Sequence, residues 1–288
     1  MNYTIKNDYY TAIISDVGAE LLSLKDRNGK EHLWIPSADN KVWTHPAAFL
    51  YPICSRLVDN CYYYEGKRYE MAMHGFIKDT VLDVTYQSDA KIVFSVIASM
   101  PDVYPFKSSF SVEYELAGDK CLVKITIENL DNKEMPYMFG WHPGFTLHND
   151  DGQEIEDYEL HFGNIDALGI YRAATRPNAV EYPLVDGSYK VNEDEIREHD
   201  TLIFGGHNNF VKMFAKGHPF CLDFSWSDNL PYLCVWKSKH HEENFLCLEP
   251  WSNIPGKKPL VEDFATKPMS HLPAGEKAVY TYEIKVTI

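Results

Sequence analysis

Cationic residues are scarce in this sequence. Against 42 aspartates and glutamates stand 27 lysines and arginines, a formal net charge of −15 over 288 residues. A nucleic-acid backbone or an anionic membrane surface repels such a chain, so neither is an expected partner; a neutral ligand is not disfavoured. Long apolar runs are missing too. No stretch approaches the ~18 to 20 apolar residues that span a bilayer, and the segment from Met1 to Asp8 has neither the basic start nor the apolar core of a signal peptide. The expectation is a cytoplasmic protein whose mature chain begins at Met1. Paired cysteines are also absent: Cys54, Cys61, Cys121, Cys221, Cys234 and Cys247 include no Cys-x-x-Cys, which removes a zinc ribbon and a thioredoxin-like site. Several lie in apolar runs, as Cys234 does in Tyr-Leu-Cys-Val-Trp, and read as reduced, mostly buried thiols. There is no Gly-x-Gly-x-x-Gly, Walker-type loop, His-Glu-x-x-His or Gly-x-Ser-x-Gly.

What is present is globular composition, 45% hydrophobic and 24% charged, with period-two alternation broken by hairpin turns. Leu22 to Lys25 leads through Asp26-Arg27-Asn28-Gly29 into Glu31 to Ile35, and Asn-Gly is a strong hairpin signal. Tyr62-Tyr63-Tyr64 turns at Glu65-Gly66 into Lys67 to Met71. Two more hairpins are predicted, Val81–Tyr86 with Ile92–Ile97 and Ser109–Leu116 with Cys121–Glu128. One segment reads as a helix, Val191 to Glu198, with Asn192 at the N-cap and acidic residues in its first turn. Many short strands with almost no helix predict a large β-sandwich or barrel. With no linker, low-complexity tract or repeat, one domain over residues 1–288 is the simplest organisation.

Four segments set a polar residue against apolar or glycine neighbours where a strand should end. Arg56 follows the run Phe49 to Cys54, where a partly buried guanidinium would need acceptors; an ordinary salt bridge explains it equally. His74, in Met73-His74-Gly75-Phe76, sits at an expected turn whose glycine allows close backbone approach. In Phe139-Gly-Trp-His-Pro-Gly-Phe145, His142 precedes a proline that disfavours helix, and Gly144 permits positive φ, so a sharp turn presenting imidazole beside the Trp141 indole is expected. Such a turn suits a sugar: the C–H face of a pyranose stacks on an aromatic ring while its hydroxyls need fixed polar partners. Glu249 follows the apolar strand Phe245 to Leu248 and precedes Pro250-Trp251. A carboxylate there is costly unless paired or used, and apolar walls raise its pKa. Asp200 is an acidic residue at a helix-to-strand junction, readable as a simple turn residue. His240-His241-Glu242-Glu243 could ligate a metal but reads equally as a solvated turn.

Taken in order, these segments resemble the aldose 1-epimerase (galactose mutarotase) family, particularly its LacX-like bacterial branch. The resemblance runs from Gly18-Ala19-Glu20-Leu21 through Tyr51-Pro52, Arg56, His74-Gly75-Phe76 and Trp141-His142-Pro143 to Leu248-Glu249-Pro250-Trp251. It implies an all-β fold, a large antiparallel β-sandwich with sugar bound in a cleft, and an isomerase without cofactor or metal. It implies His142 as the acid that protonates the sugar ring oxygen and Glu249 as the base that takes the C1 hydroxyl proton. Arg56, His74 and Asp200 would then hold the sugar, with Trp141 as a wall or stacking surface. The two reacting groups must begin in opposite states, His142 as imidazolium and Glu249 as carboxylate. The implied partner is a small-molecule sugar; oligomeric state is open, a homodimer included. Competing readings are a non-catalytic sugar sensor on the same fold, a glycoside hydrolase pairing Glu249 with Asp200, and a hexose-6-phosphate epimerase, for which the motifs supply only Arg56 as a cation.

Overall fold

The computed structural model describes residues 1–36, 43–148, 152–172, 178–199, 201–238, 244–256 and 261–287. Two large antiparallel sheets form the body. The nine-stranded sheet runs, in spatial order, Ser188–Lys190, Tyr158–His161, Phe210–Ala215, Cys221–Trp226, Lys277–Thr287, Lys120–Asn129, Tyr104–Ala117, Lys91–Met100 and Asp83–Gln87. The seven-stranded sheet runs Val180–Pro183, Ala167–Tyr171, Thr201–Gly205, Tyr232–Trp236, Phe245–Trp251, Gly140–Thr146 and Ala47–Leu50. A three-stranded sheet, Asn2–Lys6 to Leu21–Asp26, and two small ribbons flank them. The large antiparallel β-sandwich that the resemblance implies is what forms, one of the two architectures, sandwich or barrel, that the alternation predicts.

The sheets meet through buried aromatic and aliphatic side chains. Phe49 and Trp141 of the seven-stranded sheet stack at 5.6 Å. From the other sheet, Phe110 meets Phe49, and Phe224 and Tyr282 meet Trp141, at 5.0 to 6.2 Å. Fully buried side chains of this size contribute about 1.5–3 kcal/mol each relative to exposure, which makes this layer the main adhesive between the sheets. Because side chains alternate across a strand, the residues between these core positions face the opposite side of the seven-stranded sheet. That second face carries the site.

Three predicted hairpins form with the expected pairing: Cys61–Tyr64 with Lys67–Glu70, Asp83–Gln87 with Lys91–Met100, and Tyr104–Ala117 with Lys120–Asn129. After Asp26 the return segment makes only isolated bridges, Lys25 with Glu31 and Leu33 with Phe145, because the Glu31 carboxylate takes the Ser23 hydroxyl and the Leu24 N–H that a partner strand would use. The helix is Glu193–His199, and the Asn192 side chain accepts the Glu195 N–H at 2.9 Å as its cap. No helix among the described residues is long and apolar enough to cross a membrane.

Candidate active site

His142 and Glu249 meet on the second face of the seven-stranded sheet. The expected turn at Trp141 to Gly144 does not occur; these residues lie inside the strand Gly140–Thr146. Its pairing with Phe245–Trp251 matches Gly140 to Trp251 and Gly144 to Cys247. That register sets His142 directly across from Glu249. Pro143 is tolerated because no pairing with that strand is made at residues 141–143, where an N–H would be missing. The side chains touch: His142 Nε2 lies 3.2 Å from Glu249 Oε1, with 6% and 1% of the side chains exposed.

Their surroundings are apolar. The Trp43 ring stacks on the His142 imidazole at 4.1 Å and 27°, and Trp236 and His74 approach it edge-on at 5.6 and 5.5 Å. Cys247, two residues before Glu249 and on the same face, is fully buried, as is Cys234 opposite Glu249. No hydrogen bond of good geometry reaches either Glu249 oxygen or His142 Nδ1, and the help the carboxylate takes from Cys234 and Trp251 is weaker than the effect of its burial. Buried polar atoms are nearly always satisfied, so three such atoms converging at one spot mark a place built for something other than stability.

Burial decides the protonation of both groups. It pushes the Glu249 carboxyl well above its ordinary range, against weaker help to the charged form from Cys234 and Trp251. It pushes the His142 imidazole well below its ordinary value, reinforced by His74. Both directions run against the expected imidazolium and carboxylate and toward the neutral imidazole and carboxylic acid. The total proton count is the same in either pair.

The other expected site residues are distributed unevenly. His74 is present, buried, with positive φ, its Nδ1 accepting the Ser55 N–H at 3.1 Å. Its pKa is pushed down to about 3, first by burial and then by the nearby charges of Lys78 and Arg56, so it acts as a neutral ring. Gly75 beside it is required: a Cβ there would lie 2.2 Å from the Tyr51 carbonyl oxygen. Arg56 is exposed rather than partly buried, its guanidinium directed at the Met73 sulfur at 3.4 Å, because the chain leaves the apolar run before reaching it. Trp141 is not beside His142. As the neighbouring residue in a strand it points the other way, into the sandwich core, where its indole N–H donates to the Ala47 carbonyl at 2.8 Å. Asp200 and His240 to Glu243 lie outside the described residues.

Two contributors escaped the sequence reading. Trp43 supplies the indole that Trp141 was expected to supply. His45 holds Glu20 through Nδ1 to Oε2 at 3.0 Å, while Glu20 Oε1 accepts the Ala47 N–H at 3.1 Å. The hydrogen bond to that carboxylate raises the His45 pKa, with burial opposing. The signal was available: Trp43-Thr-His-Pro46 repeats the composition of Trp141-His-Pro143.

A family model described as aldose 1-epimerase matches residues 1–263. The plasmid-encoded protein LacX of Lactococcus lactis subsp. lactis is 27% identical over 270 residues, 88% of each chain. Among solved structures, a galactose mutarotase related enzyme from Lactobacillus acidophilus superposes with a TM-score of 0.89 at 27% identity, covering 99% of this chain and 97% of that one. A galactose mutarotase-like protein from Lactobacillus casei ATCC 334 shares the fold, with a TM-score of 0.88 at 24% identity, covering 99% of this chain and 100% of that one.

Proposed function

This chain belongs to the aldose 1-epimerase family, and on that premise we propose that it interconverts the α and β anomers of a hexose by acid–base ring opening and reclosure. The observation that carries the reading is the contact between two buried groups able to exchange protons, His142 and Glu249, whose polar atoms are left unsatisfied by the protein itself. A hemiacetal supplies the missing partners, because its ring oxygen and C1 hydroxyl sit on one carbon and can address both groups at once.

The cycle needs one proton beyond those of the sugar, and the pair holds it. When the sugar's hydroxyls hydrogen-bond into the site they replace solvation that burial removed, and the proton passes from Glu249 to His142, giving carboxylate and imidazolium. Glu249 then takes the C1 hydroxyl proton while His142 protonates the ring oxygen, and the C1–O5 bond breaks to give the open aldehyde. Rotation about C1–C2 presents the other carbonyl face. O5 attacks C1, Glu249 returns its proton to O1, and His142 recovers the proton from O5. Each well-placed acid or base contributes about 10²- to 10⁴-fold, and fixing both on one sheet adds the advantage of orientation. The open-chain stage leaves the protein as carboxylic acid and neutral imidazole, the forms that burial favours, so the site is matched to the state in which the reaction must wait.

His74 serves as a neutral ring for sugar hydroxyls, and Trp236 offers an apolar surface to the C–H face. Arg56 and Asp200 are carried as sugar-holding residues on family resemblance. The test is anomer exchange by NMR on a panel of free and 6-phosphorylated aldoses. Acceleration of free hexoses above the spontaneous rate supports the reading; activity confined to the phosphorylated sugars contradicts the choice of a free hexose.

A further inference from the structure

We propose that His142, Cys247 and Glu249 also form an inhibitory site for a thiophilic divalent cation, Zn²⁺ or Cd²⁺. A ring nitrogen, the thiol sulfur and a carboxylate oxygen of the three lie within 4.8 Å of one another. The nitrogen–oxygen separation is 3.2 Å. Tetrahedral zinc with bonds of about 2.0–2.2 Å to nitrogen and oxygen places those two ligand atoms about 3.3 Å apart, so the pair already stands at ligand spacing.

The strand register produces this donor set. Cys247 and Glu249 are two residues apart on one strand and share a face, and His142 stands opposite Glu249. Opposite Cys247 is Gly144, where even a Cβ would come within 3.4 Å of the sulfur; the glycine leaves the thiol open toward the pair. Neither Glu249 oxygen has a hydrogen bond of good geometry, although the residue is 1% exposed, and Cys234 and Trp251 favour its charged form less than burial opposes it. Nitrogen, oxygen and thiolate sulfur together suit zinc or cadmium, whereas magnesium and calcium call for oxygen-only sets. Three protein ligands leave a fourth position for water or a sugar hydroxyl.

Binding releases the Cys247 proton, and the Glu249 proton where present, to solvent; no bond in a substrate is made or broken. Burial holds the Cys247 thiol protonated, and the cation must displace that proton. Occupation ties up both groups that move protons in the proposed reaction. The inhibitory half of the inference therefore rests on that reading, while the metal site does not.

The test uses the full chain, treated with chelator and then titrated with CdCl₂ or ZnCl₂. Cadmium–thiolate absorption and calorimetry read binding, X-ray absorption of the zinc-loaded protein reads the ligands, and polarimetry reads anomer exchange. The expected result is one tight equivalent, a shell of one sulfur with nitrogen and oxygen, and loss of exchange that chelator restores. Cys247→Ser is expected to weaken binding at least about tenfold, with Cys247→Ala as the second variant should the serine fail to fold. No tight equivalent, a zinc shell without sulfur, or unaltered affinity in a folded Cys247 variant overturns the site. Tight binding through Cys247 that leaves anomer exchange untouched overturns the inhibition. Tight binding through Cys247 in a protein without mutarotase activity supports the site and overturns the proposed function alone.

Discussion

Trp43 lies flat on the imidazole of His142, with ring centres 4.1 Å apart and planes 27° apart. The two residues are far apart in sequence, and the contact fixes the plane of the ring that is proposed to carry the proton. A stacked indole also stabilises an imidazolium through its negative face. Aromatic pairs of this kind contribute about 0.5–1.5 kcal/mol beyond area burial. Trp43→Ala is therefore expected to slow anomer exchange by about two- to tenfold through this contact alone, and Trp43→Phe to recover most of the loss. Equal rates in the wild type and the alanine variant, measured by polarimetry, would remove Trp43 from the account.

Trp141 should behave differently although it is the sequence neighbour of His142. Its ring packs against Phe49, Phe224 and Tyr282 in the core. Trp141→Phe removes part of that packing and leaves the Ala47 carbonyl without its donor, for an expected destabilisation of about 2–4 kcal/mol. Urea denaturation should register the loss while exchange per folded molecule stays close to wild type.

A buried ion pair offers a second stability test. Lys267 Nζ donates to Glu262 Oε2 at 2.6 Å, with 6% and 3% of the side chains exposed. Removing one partner strands the other charge, so Lys267→Met is expected to cost about 3–5 kcal/mol. A shift in the urea midpoint equivalent to less than 1 kcal/mol, well below that range, would show that the stranded carboxyl finds another partner or simply protonates.

His45 has its pKa raised by the Glu20 carboxylate, with burial opposing. A raised folded-state pKa means that this contact stabilises fully below the unfolded value near ~6.5 and that the benefit fades as pH rises through the folded value. Following the His45 ring protons by NMR should give a midpoint above the ordinary histidine value. Glu20→Gln should bring that midpoint down, below the ordinary value if burial is then the main influence. An unmoved midpoint in the variant would show that Glu20 is not the cause.

Much of this is legible in the chain, and each difference has a physical cause. The Tyr62–Met71 hairpin was readable because alternation and the Glu65-Gly66 turn agree, and Asn192 was readable as a cap because its side chain has one local job. Glu249 stood out because a carboxylate closing an apolar strand is costly. Composition alone sets Trp141 beside His142, but once residues 140–146 form a strand the two must face opposite sides. Parity would equally have put Cys247 beside Glu249. The Trp43 stack and the His45–Glu20 contact depend on how distant segments pack, which alternation does not encode. Arg56 looked buried from its neighbours, but exposure is set where the chain turns outward.

The central claim is that Glu249, paired with His142, moves the proton of the C1 hydroxyl. It is tested most directly by polarimetry on freshly dissolved α-glucose and α-galactose, comparing the wild type with Glu249→Gln. The account predicts that the wild type accelerates the change in rotation well above the spontaneous rate. It also predicts that the glutamine variant, folded and still binding sugar, loses at least about 10² of that acceleration. Near-normal turnover in the variant, or a wild type that leaves the spontaneous rate unchanged, would contradict it.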